Sequence, residues 1–240
     1  MTHILKSYQN IDHIELGIDE AGRGCLFGDL FVAGVILPKN IQELIDEHKV
    51  VIKDSKKMSK KKRIISREFI LKYAEAYTIC QISSQEIDEK NILNATLDGM
   101  HQVVKNIIEK KNIDKILVDG NRFNHFYDEN KNKIEHECII GGDDSYLCIA
   151  AASILAKTSK DDYIEKMVND YPELKKYDLL NNSGYGTKRH IHAIQEFGIT
   201  DYHRKSYSIC NEEKTKLKKE KKNQKKIENE NKKKITEYFN

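Results

Sequence analysis

The sequence has no apolar run long enough to cross a bilayer. Its longest, Leu30 to Leu37, holds eight residues, against the ~18 that a membrane span needs. Residues 1–16 lack the basic-then-apolar order of a secretory signal, so the expected compartment is the cytoplasm. Cysteine is sparse and scattered. Cys25, Cys80, Cys138, Cys148 and Cys210 are odd in number and form no C-x-x-C pair. That argues against a disulfide framework or a thiolate zinc site, and for free buried thiols in a reducing compartment. Proline occurs only at 38 and 172, and no internal repeat is present. Nor is the body of the chain basic. Residues 1–210 carry 30 basic and 32 acidic side chains, a net of −2, whereas 211–240 hold 11 lysines and 6 glutamates, a net of +5. Any nucleic-acid contact on the body must therefore come from a local patch, and the tail is a separate electrostatic element. The best local patch is Lys53 to Arg63, with seven Lys or Arg.

What is present is enough for one sizeable domain plus an appendage: 240 residues, 39% hydrophobic and 33% charged. Ile14, Leu16 and Ile18 alternate with polar or small residues and predict a strand; Leu30 to Leu37 predicts a second, ending at Pro38. Two strands this close imply an antiparallel hairpin. Ile41, Leu44 and Ile45 fit a short helix. Ser59 caps a predicted helix reaching about Tyr77, with Ile64, Ile65, Phe69 and Leu71 inward, and Tyr77 to Ile82 reads as a strand. Ser83 and Glu86 form a capping-box pattern before a helix carrying Ile92, Ala95, Met100, Val103, Val104, Ile107 and Ile108. Lys115 to Asp119 is a short buried strand, and Cys138 to Ile140 another. From Tyr146 to about Met167 runs a helix with a small-residue face of Ala150, Ala151, Ala152, Ser153 and Ala156. Asn181 to Thr187 is a loop, and Lys188 to Phe197 a short helix. A hairpin followed by alternating helices and strands predicts a mixed sheet with helices on its faces.

The chemistry sits at strand ends. Asp19 and Glu20 close the first apolar strand, Asp119 closes another, and Asp143 and Asp144 follow a third. Desolvating a carboxylate is costly, so something cationic must meet these acids. One acid alone is most simply explained by a salt bridge; three strands ending this way are not. Acids without His or Cys make an all-oxygen site suited to Mg²⁺ or Mn²⁺ rather than zinc. Two such ions are a standard device for attack on a phosphodiester. Adjacent strand residues point to opposite faces, so Asp19 and Glu20 share a site only if the strand bends or ends between them.

Gly17 to Gly24 (GIDEAGRG) resembles the signature of ribonuclease HII. Asp54-Ser55-Lys56-Lys57, Val118-Asp119-Gly120-Asn121, Gly142-Asp143, Ala151 to Lys157 (AASILAK) and Gly184-Tyr185-Gly186-Thr187 follow in the family's order, so the likeness spans 17 to about 207. The resemblance implies an α/β fold: a ribonuclease H-like mixed sheet flanked by helices, with a small C-terminal helical part. That divides the chain into a catalytic domain, 1–210, and a Lys-rich tail, 211–240. It implies a monomeric endonuclease that hydrolyses the RNA strand of RNA–DNA hybrids and nicks 5′ of single ribonucleotides in duplex DNA. Two Mg²⁺ or Mn²⁺ ions would be held by the catalytic set Asp19, Glu20, Asp119 and Asp143. It further implies a backbone-reading turn at Gly22, Arg23 and Gly24 and a junction-sensing Tyr185. Three departures stand out: Cys25 replaces a usual proline, Gly141 a common lysine, and Asp144 adds a second acid. The fourth carboxylate is therefore open between Asp143 and Asp144; spacing to the AASILAK helix favours Asp143. The related ribonuclease HIII carries a sizeable N-terminal domain, whereas 16 residues precede Gly17 here. A non-catalytic hybrid-binding protein would gain nothing from clustered acids beside phosphates.

Other features have plainer readings. A dinucleotide loop after Gly22-x-Gly24 would need glycine at 27, which is Phe27. His190 and His192, two apart on a helix, do not share a face, so solvent or DNA contact is expected rather than metal. His203-Arg204-Lys205, with Tyr202 and Tyr207 nearby, reads as a phosphate contact or a solvated surface. Lys232 to Phe239 (KKKITEYF) resembles the peptide that docks on sliding clamps of the archaeal and eukaryotic type: an aliphatic Ile235 and the aromatic pair Tyr238 and Phe239 on one helical turn. Lys232 stands where such peptides usually have glutamine.

Overall fold

A computed structural model describes residues 5–211 of the chain. Residues 212–240, which hold all but the first residue of the tail and the whole 232–239 segment, lie outside these residues. The predicted hairpin forms: β1 (Glu15–Ala21) pairs antiparallel with β2 (Leu30–Ile36), which pairs antiparallel with β3 (Ala76–Ile82). Between β2 and β3 lie α1 (Ile41–His48) and α2 (Lys60–Tyr73). Then come α3 (Ser84–Lys90) and α4 (Ile92–Ile108), whose crossover brings β4 (Lys115–Asp119) parallel to β1. The short β5 (Phe126–Tyr127) and then β6 (Lys133–Ile139) complete a six-stranded mixed sheet in the order β3-β2-β1-β4-β6-β5. A long helix, α5 (Leu147–Asp170), follows, then a C-terminal helical part with α6 (Leu179–Asn182) and α7 (Lys188–Phe197). Among the described residues no helix is long and apolar enough to cross a membrane. All five cysteines are free.

Strand alternation sorts the core into two layers. Leu16, Ile18 and Val32 face α4, with Val103, Val104 and Ile107. Ala33, Val35 and Leu117 face α5, with its Ala150, Ala151 and Ala152. The small-residue face of α5 does what its composition predicts. It lets the helix lie so close to β1 that a Cβ on Gly17 would fall 2.3 Å from the Cys148 carbonyl carbon. A third cluster, built on Phe27, Ile164, Tyr177 and Ile194, anchors the C-terminal part to the same helix.

Several local expectations need correction. The Ser59 cap holds, but the helix ends at Tyr73 rather than near Tyr77. Its inward residues are Ser66, Phe69 and Ile70; Ile64 and Ile65 are exposed, because the docking stripe of α2 is narrower than its apolar content. The Ser83–Glu86 capping box is present, yet the helix after it is two helices. Asn91 takes φ +66° and caps the second one by accepting from the amides of Leu93 and Asn94. β6 starts earlier than Cys138, since its pairing to β4 is set from Glu135 onward.

Candidate active site

β1 and β4 run side by side only as far as Ile18 and Val118. Beyond that point the ladder stops and the strands part, leaving Asp19 and Asp119 at neighbouring carboxyl ends of the sheet. Asp19 is buried, on the α5 side with Gly17. One of its oxygens accepts from the Glu20 amide at 2.7 Å, and its carboxyl group is also bonded to Ser153 of α5. Ser153 is in turn 2.9 Å from Ser55, which follows Asp54 in the Asp-Ser-Lys-Lys segment. Asp119 accepts from the Gly142 amide at 2.8 Å. That bond fastens the end of β4 to the turn Gly142–Asp144, which carries Asp143.

β1 does not end between Asp19 and Glu20, since its pairing with β2 runs on through Glu20 and Ala21. With no β4 partner past Ile18, Glu20 lies within the electrostatic field of Asp119, as Asp19 does. Gly22 then turns the chain at φ +101°, and Arg23 comes back to 3.5 Å from Glu20. The choice between Asp143 and Asp144 is also a matter of placement. Asp143 is buried and feels the charge of Asp119. The Asp144 side chain is 43% exposed and reaches Lys57 at 2.8 Å. Asp19, Glu20 and Asp143 thus each feel the charge of Asp119, and Asp144 is the more exposed of the two adjacent acids.

Charge crowding is visible in how these groups hold protons. Burial pushes Asp19 well above the usual carboxylate range, and the charges of Glu20 and Asp119 add to the shift. Burial also raises Glu20, partly offset by Arg23, and raises Asp143, where Asp119 adds and Lys56 opposes. Two cations only partly answer this negative charge: Arg23, and Lys56 at 3.4 Å from Asp143. Among the described residues no three Asp, Glu, His or Cys side chains are already drawn together around an ion-sized point. The donor set is nonetheless the right chemistry for a hard divalent cation: several repelling carboxylates, all oxygen, with less positive charge beside them than negative. The basic stretch 53–63 is spent largely on acids. Lys57 meets Asp144, Lys60 meets Glu165 and Arg63 meets Asp161.

Beside the carboxylates lies a second constellation, joining segments far apart in sequence. Tyr185 forms an isolated bridge with Cys25, and Gly24 faces the Tyr185 ring. Tyr185 is 42% exposed at the surface of this platform. Burial of its hydroxyl, with Cys25 beside it, pushes that group up to about 12, so it stays protonated and can donate. The turn at Gly22, Arg23 and Gly24 and the loop carrying Tyr185 therefore form one surface, next to Glu20.

The supports of that surface were not legible as such in the sequence. Arg204 is fully buried rather than phosphate-facing or solvated. It donates through Nε to the Gly28 carbonyl at 2.9 Å and through an η nitrogen to the Arg23 carbonyl at 3.0 Å. Tyr207 donates to the same Arg23 carbonyl. His190 is likewise buried, correcting the expectation of solvent or DNA contact; only His192 is exposed. A carbonyl only accepts, so the 2.9 Å bond from His190 Nδ1 to the Tyr185 carbonyl makes His190 the donor. Its Nε2 then accepts from His203 at 3.2 Å, and His203 Nδ1 accepts from the Thr200 amide at 2.9 Å. Burial and the neighbouring His190 pull His203 down to about 3, which keeps this relay neutral. Helical spacing with Ala193 and Ile194 marks His190 as core-facing; no pattern marks Arg204.

Comparison with known proteins bears on the family and the fold. The sequence profile of the family described as Ribonuclease HII matches residues 16–210. A Ribonuclease HII of Bacteroides thetaiotaomicron is 43% identical over 214 residues, 89% of this chain and 99% of that protein. One from Francisella tularensis subsp. novicida is 44% identical, over 81% of this chain and 96% of its own length. The ribonuclease HII of Archaeoglobus fulgidus, solved in a complex with PCNA, shares the fold with a TM-score of 0.62 at 24% identity, over 80% of this chain and 93% of that one. The carboxylate-ended mixed sheet, a family match covering nearly every described residue and full-length relatives above 40% identity have one reading: the chain belongs to the ribonuclease HII family and is an endonuclease of the ribonuclease H class.

Proposed function

We propose that this protein hydrolyses the RNA strand of RNA–DNA hybrids and nicks duplex DNA on the 5′ side of single embedded ribonucleotides. The observation that carries the proposal is the juxtaposition of two sets of residues. Asp19, Glu20 and Asp143 each feel the charge of Asp119, and the surface of Gly22, Arg23, Gly24 and Tyr185 adjoins them. The four carboxylates would hold two Mg²⁺ or Mn²⁺ ions. Bound there, such ions would activate a water and offset charge at the attacked phosphodiester. The protein's own part is to orient. Ser153 and the Gly142 amide fix Asp19 and Asp119. The glycine turn brings main chain close to the sugar, and Tyr185 meets the sugar at the junction. The direct test is Mg²⁺-dependent cleavage of a DNA duplex containing one ribonucleotide, leaving 3′-hydroxyl and 5′-phosphate ends. An intact duplex under those conditions would refute the nicking activity.

Tyr185 should govern discrimination more than chemistry. We expect Tyr185→Ala to lose about tenfold or more in kcat/KM on a single embedded ribonucleotide, as truncating a positioned contact does. The loss on a continuous hybrid should be smaller. Equal losses on both substrates would make Tyr185 a general contact.

The proposal extends to a partner. The Archaeoglobus fulgidus protein was solved bound to PCNA, and the 232–239 segment here carries Ile235, Tyr238 and Phe239 at clamp-docking spacing. A 225–240 peptide is expected to bind a ring clamp of that type at micromolar concentration, and Tyr238→Ala with Phe239→Ala to abolish binding. Binding insensitive to both changes would exclude this mode of docking.

A further inference from the structure

One buried side chain lies against both the glycine turn and the loop that carries Tyr185. Lys160, on α5, has 0% exposure. Its Nζ donates to the Ser183 carbonyl, two residues before Tyr185, and lies 5.2 Å from the centre of the Tyr185 ring. The Cys25 thiol is a further hydrogen-bond partner. Its stem runs beneath the glycine turn: a Cβ on Gly22 would sit 2.8 Å from Cε and 2.9 Å from Cδ. The direct partners of this ammonium are a carbonyl, a thiol and an aromatic face; the carboxylate of Asp161, which pairs with Lys157 and Arg63, acts on it through its charge.

Burying an ammonium without a carboxylate in direct contact is costly, and burial pulls Lys160 down accordingly. A methionine would fill the same channel without that cost. What the charge adds is directional. A cation within about 6 Å of a ring centre favours one ring placement, and the Ser183 bond holds the backbone from which that ring projects.

We propose that Lys160 is a positioning residue that sets the Tyr185 ring against the turn of Gly22, Arg23 and Gly24, and thereby sets the preference for isolated ribonucleotides over continuous hybrid. This rests on the reading of Tyr185 as the junction sensor. Lys160 itself reaches no substrate, since it is covered by the surface it supports.

The test is a double-mutant cycle read as the ratio of kcat/KM on a single embedded ribonucleotide to that on a continuous hybrid. Lys160→Met should lower the ratio about tenfold, the scale of one lost cation–ring contact. It should leave the Tyr185→Ala ratio unchanged, because the effect acts through that ring. Lys160→Arg, which keeps a cation, should recover most of the loss. A wild-type ratio in Lys160→Met, a parallel loss on both substrates, or an equal further drop in the Tyr185→Ala background would each overturn the role. Should the methionine variant not fold, Lys160→Gln, which keeps a donor for Ser183, is read by the same criteria. The two readings separate cleanly. An unchanged ratio in Tyr185→Ala alone defeats the junction-sensor assignment and this inference with it. A lowered ratio there, beside an unchanged one in Lys160→Met, defeats this inference alone.

Discussion

Asp19→Asn should reduce cleavage by about 10³-fold or more, equivalent to ~4 kcal/mol of transition-state stabilisation, while leaving the fold intact. Asparagine keeps the shape and an acceptor oxygen for the Glu20 amide, and its NH2 can donate to the Ser153 hydroxyl oxygen. What it removes is the charge. The same substitution should not destabilise the metal-free protein, and the sign follows from proton linkage. Burial and two neighbouring acids hold the folded-state pKa of Asp19 well above its ordinary 3.8. The folded protein therefore binds this proton more tightly than the unfolded chain. Stability falls as pH rises from 3.8 through the folded-state pKa. Metal-free wild type should lose stability over that window, and Asp19→Asn should lose less. Glu20 and Asp143, shifted in the same direction, leave a residual fall. Chemical denaturation of both proteins across pH, without divalent ions, measures this. A variant that still nicks at near wild-type rate in Mg²⁺, or whose stability follows the wild-type pH curve, would contradict the account of Asp19.

Gly17→Ala should be the most damaging of the glycine-to-alanine changes among the described residues. The added Cβ would lie 2.3, 2.5 and 2.6 Å from the Cys148 carbonyl carbon, the Ile149 nitrogen and the Cys148 oxygen. All three are backbone atoms in the first turn of α5, so no side chain can swing aside. β1 and α5 must separate, opening the layer that contains Ala33, Leu117 and Ala151. Overpacking of this kind costs about 3 kcal/mol or more when only backbone can yield. Whatever folds should also be nearly inactive, since Asp19 lies two residues along the displaced strand. A shift of about 1 Å at a reacting centre can cost 10²-fold in rate. A denaturation midpoint within experimental scatter of wild type would show that the two elements separate freely. Ala33→Gly, on the same face but with no such clash to relieve, serves as the control for a simple change in strand propensity.

Much of the site was legible without coordinates. GIDEAGRG, the acid ending KILVD and the Gly-Asp pair before AASILAK determined the family and the sheet-and-helix class, and they pointed to carboxylates gathered after three strands. That information is local. A strand ending in an acid, a glycine that breaks it and a small-residue helical face are each patterns within one short segment. The structure then decided what depends on distance in space. It placed Asp19, Glu20 and Asp143 each within the field of Asp119, and it left Asp144 the more exposed of the two adjacent acids, paired with Lys57. It also reversed the reading of three charged or titratable residues. His190, His203 and Arg204 look like surface groups, because charge is ordinarily solvated; in the fold they are buried supports of the turn and of Tyr185. Lys160 is hidden in the same way. A buried cation can be recognised only from the carbonyls and ring that receive it, and here those come from residues 22–28 and 183–185, supplied by parts of the chain that meet only when it folds.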